Sequence, residues 1–474
     1  MARTQVGAET SRLRKDAISG LGAAVLAMAF MGPATSVFFN TSLAAAGAGY
    51  ALPFSILLAL IVCALVASAI TEFAKKISSA GFAYTFNTHG FGKQGGFISG
   101  WLLALSYAMV GPMLFAGIGA FSSDFVTNQF GIAVPWWIFS TLFVAIIWGI
   151  AALGINRSAQ TALVFLVLEV GVMAALFITI VGAGGAQGIS AAPFNPANSL
   201  HGISGLGIGM LWGILFFIGF ESAATLGEET HNAHRSIPIA LFAAVGIIGV
   251  YYVFSGYAAA IGFGQDSVGA FVRDDTPWST LTERYWGQGF LWVITLTVLN
   301  SIFANLLTGC NAAVRVIFAL GREGFFPRAL GRVSSGGRPL VALSAYMIFS
   351  LLLALVGGAL IGPFGVYGFC GTILGLGLVI IYILINLALM RFYRREHPEE
   401  FSTVRHAILP VIASLLLLLP IYGLVYPVPA FPNNLVPYII VVWITLGFVY
   451  LAVISRRNPE TLDAMGRVWG DEPA

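Results

Sequence analysis

The chain has 474 residues, 58% of them hydrophobic and only 9% charged, with a formal net charge of +3. At a mean hydropathy of +0.89 it carries too few polar groups to coat a water-soluble domain of this size. A soluble enzyme or soluble binding module is thereby excluded, and an all-α integral membrane protein is indicated. Cys63, Cys310 and Cys370 lie inside apolar runs without metal-type spacing, and the six histidines lie in loops or at the ends of runs. No disulfide framework, haem, metal site or other cofactor is expected. The sequence contains no G-x-x-x-x-G-K-[ST] loop, so nucleotide-driven transport has no support, and nucleic acid is not an expected partner.

In chain order, the first fifteen residues are polar and basic and are followed by an apolar run without an A-x-A cleavage site, which argues against a removable signal peptide. Apolar runs such as 21–39, 52–70 and 407–425 are long enough to cross ~30 Å of hydrocarbon as helices. About twelve such passes fit, at 17–40, 49–73, 95–122, 134–155, 159–183, 203–227, 237–263, 289–319, 339–361, 365–390, 407–427 and 434–456. Lys and Arg concentrate on one side of this layout. The first segment holds Arg3, Arg12, Arg14 and Lys15; the even-numbered connections and the C-terminal tail hold nearly all the others, and only Arg273 and Arg284 fall in odd-numbered connections. The positive-inside rule then places both termini in the cytoplasm, with the chain a multi-pass protein of the cytoplasmic membrane and lipid its solvent.

Span 1 carries Gly32, Pro33, Ala34, Thr35 and Ser36 near its middle. Proline removes a backbone donor and crowds the preceding turn, so a break is expected there. The connection after span 2, 70–84, mixes aromatics and charges and suits a short helix along the interface. Span 5 holds a carboxylate, Glu169. Span 6 has a weak point at Phe217, Ile218 and Gly219, followed by a second carboxylate, Glu221. Two interrupted spans five apart are the mark of a five-plus-five inverted repeat, whose breaks face each other at mid-membrane and offer free N–H and C=O groups to a solute. The layout is a single domain, 1–474, with repeats over 17–183 and 203–390 and accessory helices over 407–456. Span 8 carries Ser301, Asn305 and Thr308 on one face, a stripe that either bonds neighbouring helices or lines a solute path.

Glu169 and Glu221 are the two ionisable residues placed well inside the hydrocarbon. Such a carboxylate costs roughly 3 kcal/mol on insertion scales and by default marks a pathway or coupling site. Taking a carboxyl out of water favours its neutral form, so a change in water access moves a proton on or off. Coupling or gating is therefore assigned to Glu169 and Glu221 as candidates. The competing uses are a fixed pair with a neighbouring helix and, for Glu169, a site for a substrate amine or for sodium.

Four ordered segments together resemble the amino acid, polyamine and organocation (APC) permeases. They are Gly219-Phe220-Glu221 with Glu228-Glu229-Thr230 and Arg235-Ser236-Ile237-Pro238; Glu72 with Ala80-Gly81, Tyr84 and Gly96-Phe97-Ile98-Ser99-Gly100-Trp101; Gly154-Ile155-Asn156 with Ser158-Ala159-Gln160; and Arg315 with 319–324 and Pro327. The resemblance covers roughly 17–340 and implies a LeuT-like fold with helices 1 and 6 broken. It also implies a secondary transporter importing a small amino acid by alternating access, with a proton as coupling ion and sodium as the alternative. Two departures stand out. Many amino-acid permeases of this family have a glycine-serine-glycine type break in span 1 that receives the substrate carboxylate, whereas this chain has Gly32-Pro33-Ala34, which leaves organic amines and polyamines open as substrates. Proton-coupled relatives often carry a lysine in mid span 5, where this chain has Glu169.

The candidate substrate contacts are Gly32, Pro33, Ala34, Thr35, Ser36, Tyr107, Phe216, Phe217, Ile218, Gly219 and Asn305. Phe216 and Phe217 either cap the solute or pack the core. A non-transporting solute sensor would need an output domain for which no stretch outside the spans is large enough. A membrane-embedded enzyme would need a nucleophile, base or metal cluster at useful spacing, and the sequence offers none.

Overall fold

A computed structural model of the chain describes residues 18–77, 82–153, 159–227, 230–322, 324–334 and 337–457. The sequence segments 80–81, 154–158 and 228–229, together with Glu323, lie outside them. Among the described residues the secondary structure is helical apart from one isolated bridge, in the order α1 Gly20–Met31, α2 Pro33–Ala48, α3 Leu52–Ala74, α4 Ala83–Phe91, α5 Lys93–Ala108, α6 Val110–Phe130, α7 Trp136–Leu153, α8 Ala159–Gly182, α9 Gly202–Phe217 and α10 Ser222–Thr225. There follow α11 Ala233–Phe263, α12 Val268–Phe271, α13 Pro277–Trp286, α14 Leu291–Arg322, α15 Leu340–Ile361, α16 Pro363–Glu396, α17 Leu409–Leu416, α18 Leu418–Val425 and α19 Val436–Arg457. Among the described residues eleven helical runs are long and apolar enough to cross a membrane, and the first, Gly20–Ala74, is 55 residues long. A 3-10 turn at Gly49–Ala51 divides that run into two crossing lengths, which gives twelve passes.

The helices sort by which faces they cover. Of the most apolar 18-residue stretch, 89% is buried in the run Gly202–Thr225 and in Lys93–Phe130, but only 17% in Trp136–Leu153 and 22% in Asn433–Arg456. Spans 3 and 6 are therefore central, and spans 4 and 12 peripheral. The outward residues of the outer helices are apolar, as Val164, Val167 and Leu168 on α8 show. With no water to satisfy, such a face belongs against lipid tails.

Among the described residues four spans are interrupted, span 11 at Leu417 between α17 and α18. Span 1 breaks at Gly32, in the left-handed region with φ +55°, and Pro33 opens α2 with its fixed φ already suited to a first helical turn. Span 6 breaks after Phe217, and Gly219 has φ +116°. Span 3 divides at Met109 into α5 and α6. The N-terminus of α1 is capped by Ser19, whose Oγ accepts from Gly22 N–H at 3.0 Å. An isolated bridge from Ile18 to Thr230 ties it to the connection after span 6.

The short helix expected over 70–84 stands later, at Ala83–Phe91, because α3 continues through Glu72 to Ala74. The side chain of Glu72 explains the difference. It is buried and accepts from Lys75 Nζ at 2.6 Å, while its other oxygen lies 3.2 Å from His406 Nε2 on a π-helical turn, Val404–Ile408. Nδ1 of His406 accepts from Ser402 N–H, so Nε2 is the nitrogen that donates to Glu72. A residue placed by composition at the interface is thus an anchor between spans 2 and 11.

Candidate functional site

The breaks of spans 1 and 6 meet. A side chain at Gly219 would stand 2.8 Å from the backbone of both Phe30 and Met31, so the two chains touch main chain to main chain. Around this contact the hydrogen-bonding groups divide into spent and spare. Ser36 N–H donates to Gly32 C=O at 2.7 Å, and Thr35 N–H donates to Ser301 Oγ of α14 at 3.0 Å. The Met31 carbonyl accepts from Ser36 Oγ at 2.8 Å and from the Tyr252 hydroxyl of α11 at 3.2 Å. Pro33 has no N–H to give. Among the described residues, the Ala34 N–H has no acceptor, the carbonyls of Phe30 and Ile218 accept no hydrogen bond, and the buried Thr35 hydroxyl has no partner. A helix N-terminus with spare donors faces spare carbonyls, the arrangement suited to a solute with an anionic and a cationic end.

A small cavity of about 30 Å³ opens at this place. Thr35, Ser36, Asn40 and Asn305 line it, with the ring of Tyr367; Phe30, Met31, Val110, Met113, Leu114, Leu215, Ile218 and Leu374 form the remaining wall. The Tyr367 hydroxyl donates to Asn40 Oδ1 at 2.8 Å, which fixes the amide. No lining residue is charged.

Of the residues singled out in the sequence, Thr35, Ser36, Ile218 and Asn305 line the cavity. Gly32, Pro33 and Ala34 form the turn beside it, and Gly219 forms the opposite break. Phe216 and Phe217 are fully buried and pack edge-on against Tyr252, with ring centroids 5.0 and 5.3 Å away. Tyr107 and Glu221 come together: the tyrosine hydroxyl donates to Glu221 Oε1 at 3.1 Å, and Gly219 N–H donates to Oε2 at 3.0 Å. Glu221 is fully buried. The Tyr382 hydroxyl is close enough to interact with the same carboxyl through space but is not placed to bond it. Glu169, also buried, is approached by Asn300 Nδ2 of α14 at 3.4 Å and lies within electrostatic reach of Tyr251 and Tyr252. The two carboxyls therefore serve different joints. Glu221 joins the span 6 break to span 3, and Glu169 faces span 8 and the tyrosine that holds the span 1 break.

Asn40, Met113, Tyr367 and Leu374 were not singled out from the sequence. Asn40 and Tyr367 are one polar pair in otherwise apolar spans, a signal present but shared by many packing contacts. Met113 and Leu374 have no signal of their own.

The sequence model for amino acid permeases matches residues 22–463. The chain belongs to the amino acid permease family. Its all-helical fold, with spans 1 and 6 broken, is the LeuT-like arrangement of that family, and the protein is a membrane transporter, not an enzyme. The permease is 26% identical to the branched-chain amino acid permease BcaP of Lactococcus lactis, over 90% of this chain and 91% of that one. It is 25% identical to the low-affinity putrescine importer PlaP of Escherichia coli K12, over 86% and 87% of the two chains. It is 24% identical to the aromatic amino acid transport protein AroP of the same organism, over 91% and 92%. Relatives at similar distances thus carry substrates of different charge and size.

Proposed function

We propose that the permease imports a small neutral amino acid with an apolar side chain by alternating access across the cytoplasmic membrane, driven by protons, with both termini in the cytoplasm. The uncharged cavity carries this reading. A diamine or a lysine brings a positive charge beyond the one an amino acid balances internally, and burying an unpaired charge costs several kcal/mol. A zwitterion needs only the spare donors at Ala34 and Thr35 for its carboxylate and the spare carbonyls at Phe30 and Ile218 for its ammonium. Val110, Met113, Leu114, Leu215 and Leu374 then suit an aliphatic side chain, in keeping with the branched-chain relative more than with the putrescine importer.

Protein in liposomes is expected to accumulate labelled leucine or alanine when an inward proton gradient is imposed, with lysine and putrescine competing poorly. Accumulation of putrescine in preference to leucine would overturn the substrate class. Accumulation that follows a sodium gradient would overturn proton coupling. Binding without accumulation would make the protein a sensor.

Glu169 is the group we assign to the coupling proton, since it stands within reach of Tyr252, which bonds the Met31 carbonyl at the span 1 break. Glu169→Gln is expected to abolish gradient-driven accumulation while leaving exchange of external for internal amino acid. Full accumulation by that variant would return Glu169 to a structural pair with Asn300.

A further inference from the structure

In a regular helix the N–H of Gly111 bonds the carbonyl of Tyr107, four residues earlier. Here a side chain from another span stands between them. The hydroxyl of Tyr346, on α15, accepts from Gly111 N–H at 2.8 Å and donates to Tyr107 C=O at 3.1 Å. One turn of span 3 is thus bridged through a phenol instead of closing on itself, at the point where α5 gives way to α6. Insertion of a side chain into the backbone ladder is a recognised cause of helix bends, and Pro112 beside it removes a further donor.

The two sides of this joint lead to different parts of the candidate site. Tyr107, before it, donates to Glu221. Val110, Met113 and Leu114, after it, line the cavity. Gly111 lets span 9 approach, since a Cβ there would stand 2.3 Å from Ser350 Oγ and 2.8 Å from the Tyr346 hydroxyl. Tyr346 itself is buried and in the core.

We infer that Tyr346 is a positioning residue for transport: its hydroxyl sets the bend in span 3 that holds Tyr107 against Glu221 while turning Val110 and Met113 to the substrate cavity. A buried tyrosine always seeks a partner for its hydroxyl, so a single bond from it would signify little. Tyr346 instead replaces a backbone bond, and both freed groups depend on it. Removing the hydroxyl lets Gly111 N–H and Tyr107 C=O close on each other, which shortens that turn and moves the residues on either side of it. The inference rests on the cavity being the substrate site.

The test compares Tyr346→Phe, Tyr107→Phe, the double variant and Gly111→Ala with the parent in liposomes, with uptake normalised to inserted protein. Tyr346→Phe is expected to raise the KM for leucine about fivefold or more, the scale of one lost net hydrogen bond, with a smaller change in maximal rate. Its pH profile should move in the same direction as that of Tyr107→Phe, and the double variant should fall short of the product of the single effects. Gly111→Ala, which forces a methyl into the same joint, should raise KM likewise and decides the matter if Tyr346→Phe is not obtained folded. A parental KM and pH profile, whatever the melting temperature, would overturn the role of Tyr346. Failure of the parent to take up leucine would count against the substrate reading alone; the same comparison is then made on whichever solute the parent carries.

Discussion

Gly219→Ala is expected to reduce uptake at least about 100-fold per inserted protein, and Gly32→Ala to cost far less. Both positions have positive φ, but what a methyl would meet differs. At Gly219, φ is +116° and the methyl would stand 2.8 Å from Met31 N and from the carbonyl carbon of Phe30. Neither atom can turn away, because both belong to the backbone of the span 1 break. The conformational strain costs of order 1–3 kcal/mol, and the overpacking costs about as much again. At Gly32, φ is +55° and the methyl would meet Asn305 Nδ2 at 2.3 Å, the end of a side-chain amide that can rotate. There the left-handed conformation itself costs roughly 1–2 kcal/mol. Uptake assays alongside elution of each variant as a folded species separate loss of transport from loss of fold. Uptake by Gly219→Ala within twofold of the parent would mean that the two breaks do not touch.

The breaks were legible because glycine and proline leave a mark that apolar helices otherwise lack. Glu221 and Glu169 were legible for the same reason, as carboxylates in runs with no other charge. The count of passes followed from hydropathy, and the break in span 6 fell at the predicted Phe217 to Gly219. What could not be read was which neighbour each residue would face. Phe216 and Phe217 lie on a helix that is apolar all round, and such a helix gives no periodicity to tell a cavity face from a packing face. Their contact with Tyr252 is fixed by the tertiary arrangement. The bend in span 3 was illegible for a related reason. It is made by Tyr346, 239 residues beyond the carbonyl it bonds, and nothing near Tyr107 announces a missing partner. Glu72 shows the opposite error, since its charge beside two lysines pointed to a surface helix, while the residue that buries it, His406, is 334 positions away.

Glu221→Gln is expected to lower uptake about tenfold or more and to flatten its pH dependence, with substrate affinity changed much less. Both oxygens of the carboxylate are accepting, one from Gly219 N–H and one from the Tyr107 hydroxyl. An amide can accept with only one of its two ends, so one donor loses its partner, or Tyr107 must reverse and leave its own proton unbonded. Either outcome costs about 1–3 kcal/mol, and 1.4 kcal/mol is a factor of about ten in rate. The same reasoning says what a proton does in the parent. When Glu221 is protonated, one oxygen becomes a donor and needs an acceptor, either the Tyr107 hydroxyl, which must then cease donating to it, or the unpartnered Tyr382 hydroxyl beside the same carboxyl. Protonation thus rearranges the bonding among span 3, span 10 and the span 6 break, whereas glutamine is held in one arrangement at every pH. The cavity wall does not include Glu221, which is why affinity should be spared. Uptake measured from pH 5 to 8 against binding measured at the same pH values checks this directly. A variant that kept the full pH profile of the parent would leave Glu221 a structural tie between two spans, and Glu169 would then be the single carboxyl left to sense the proton.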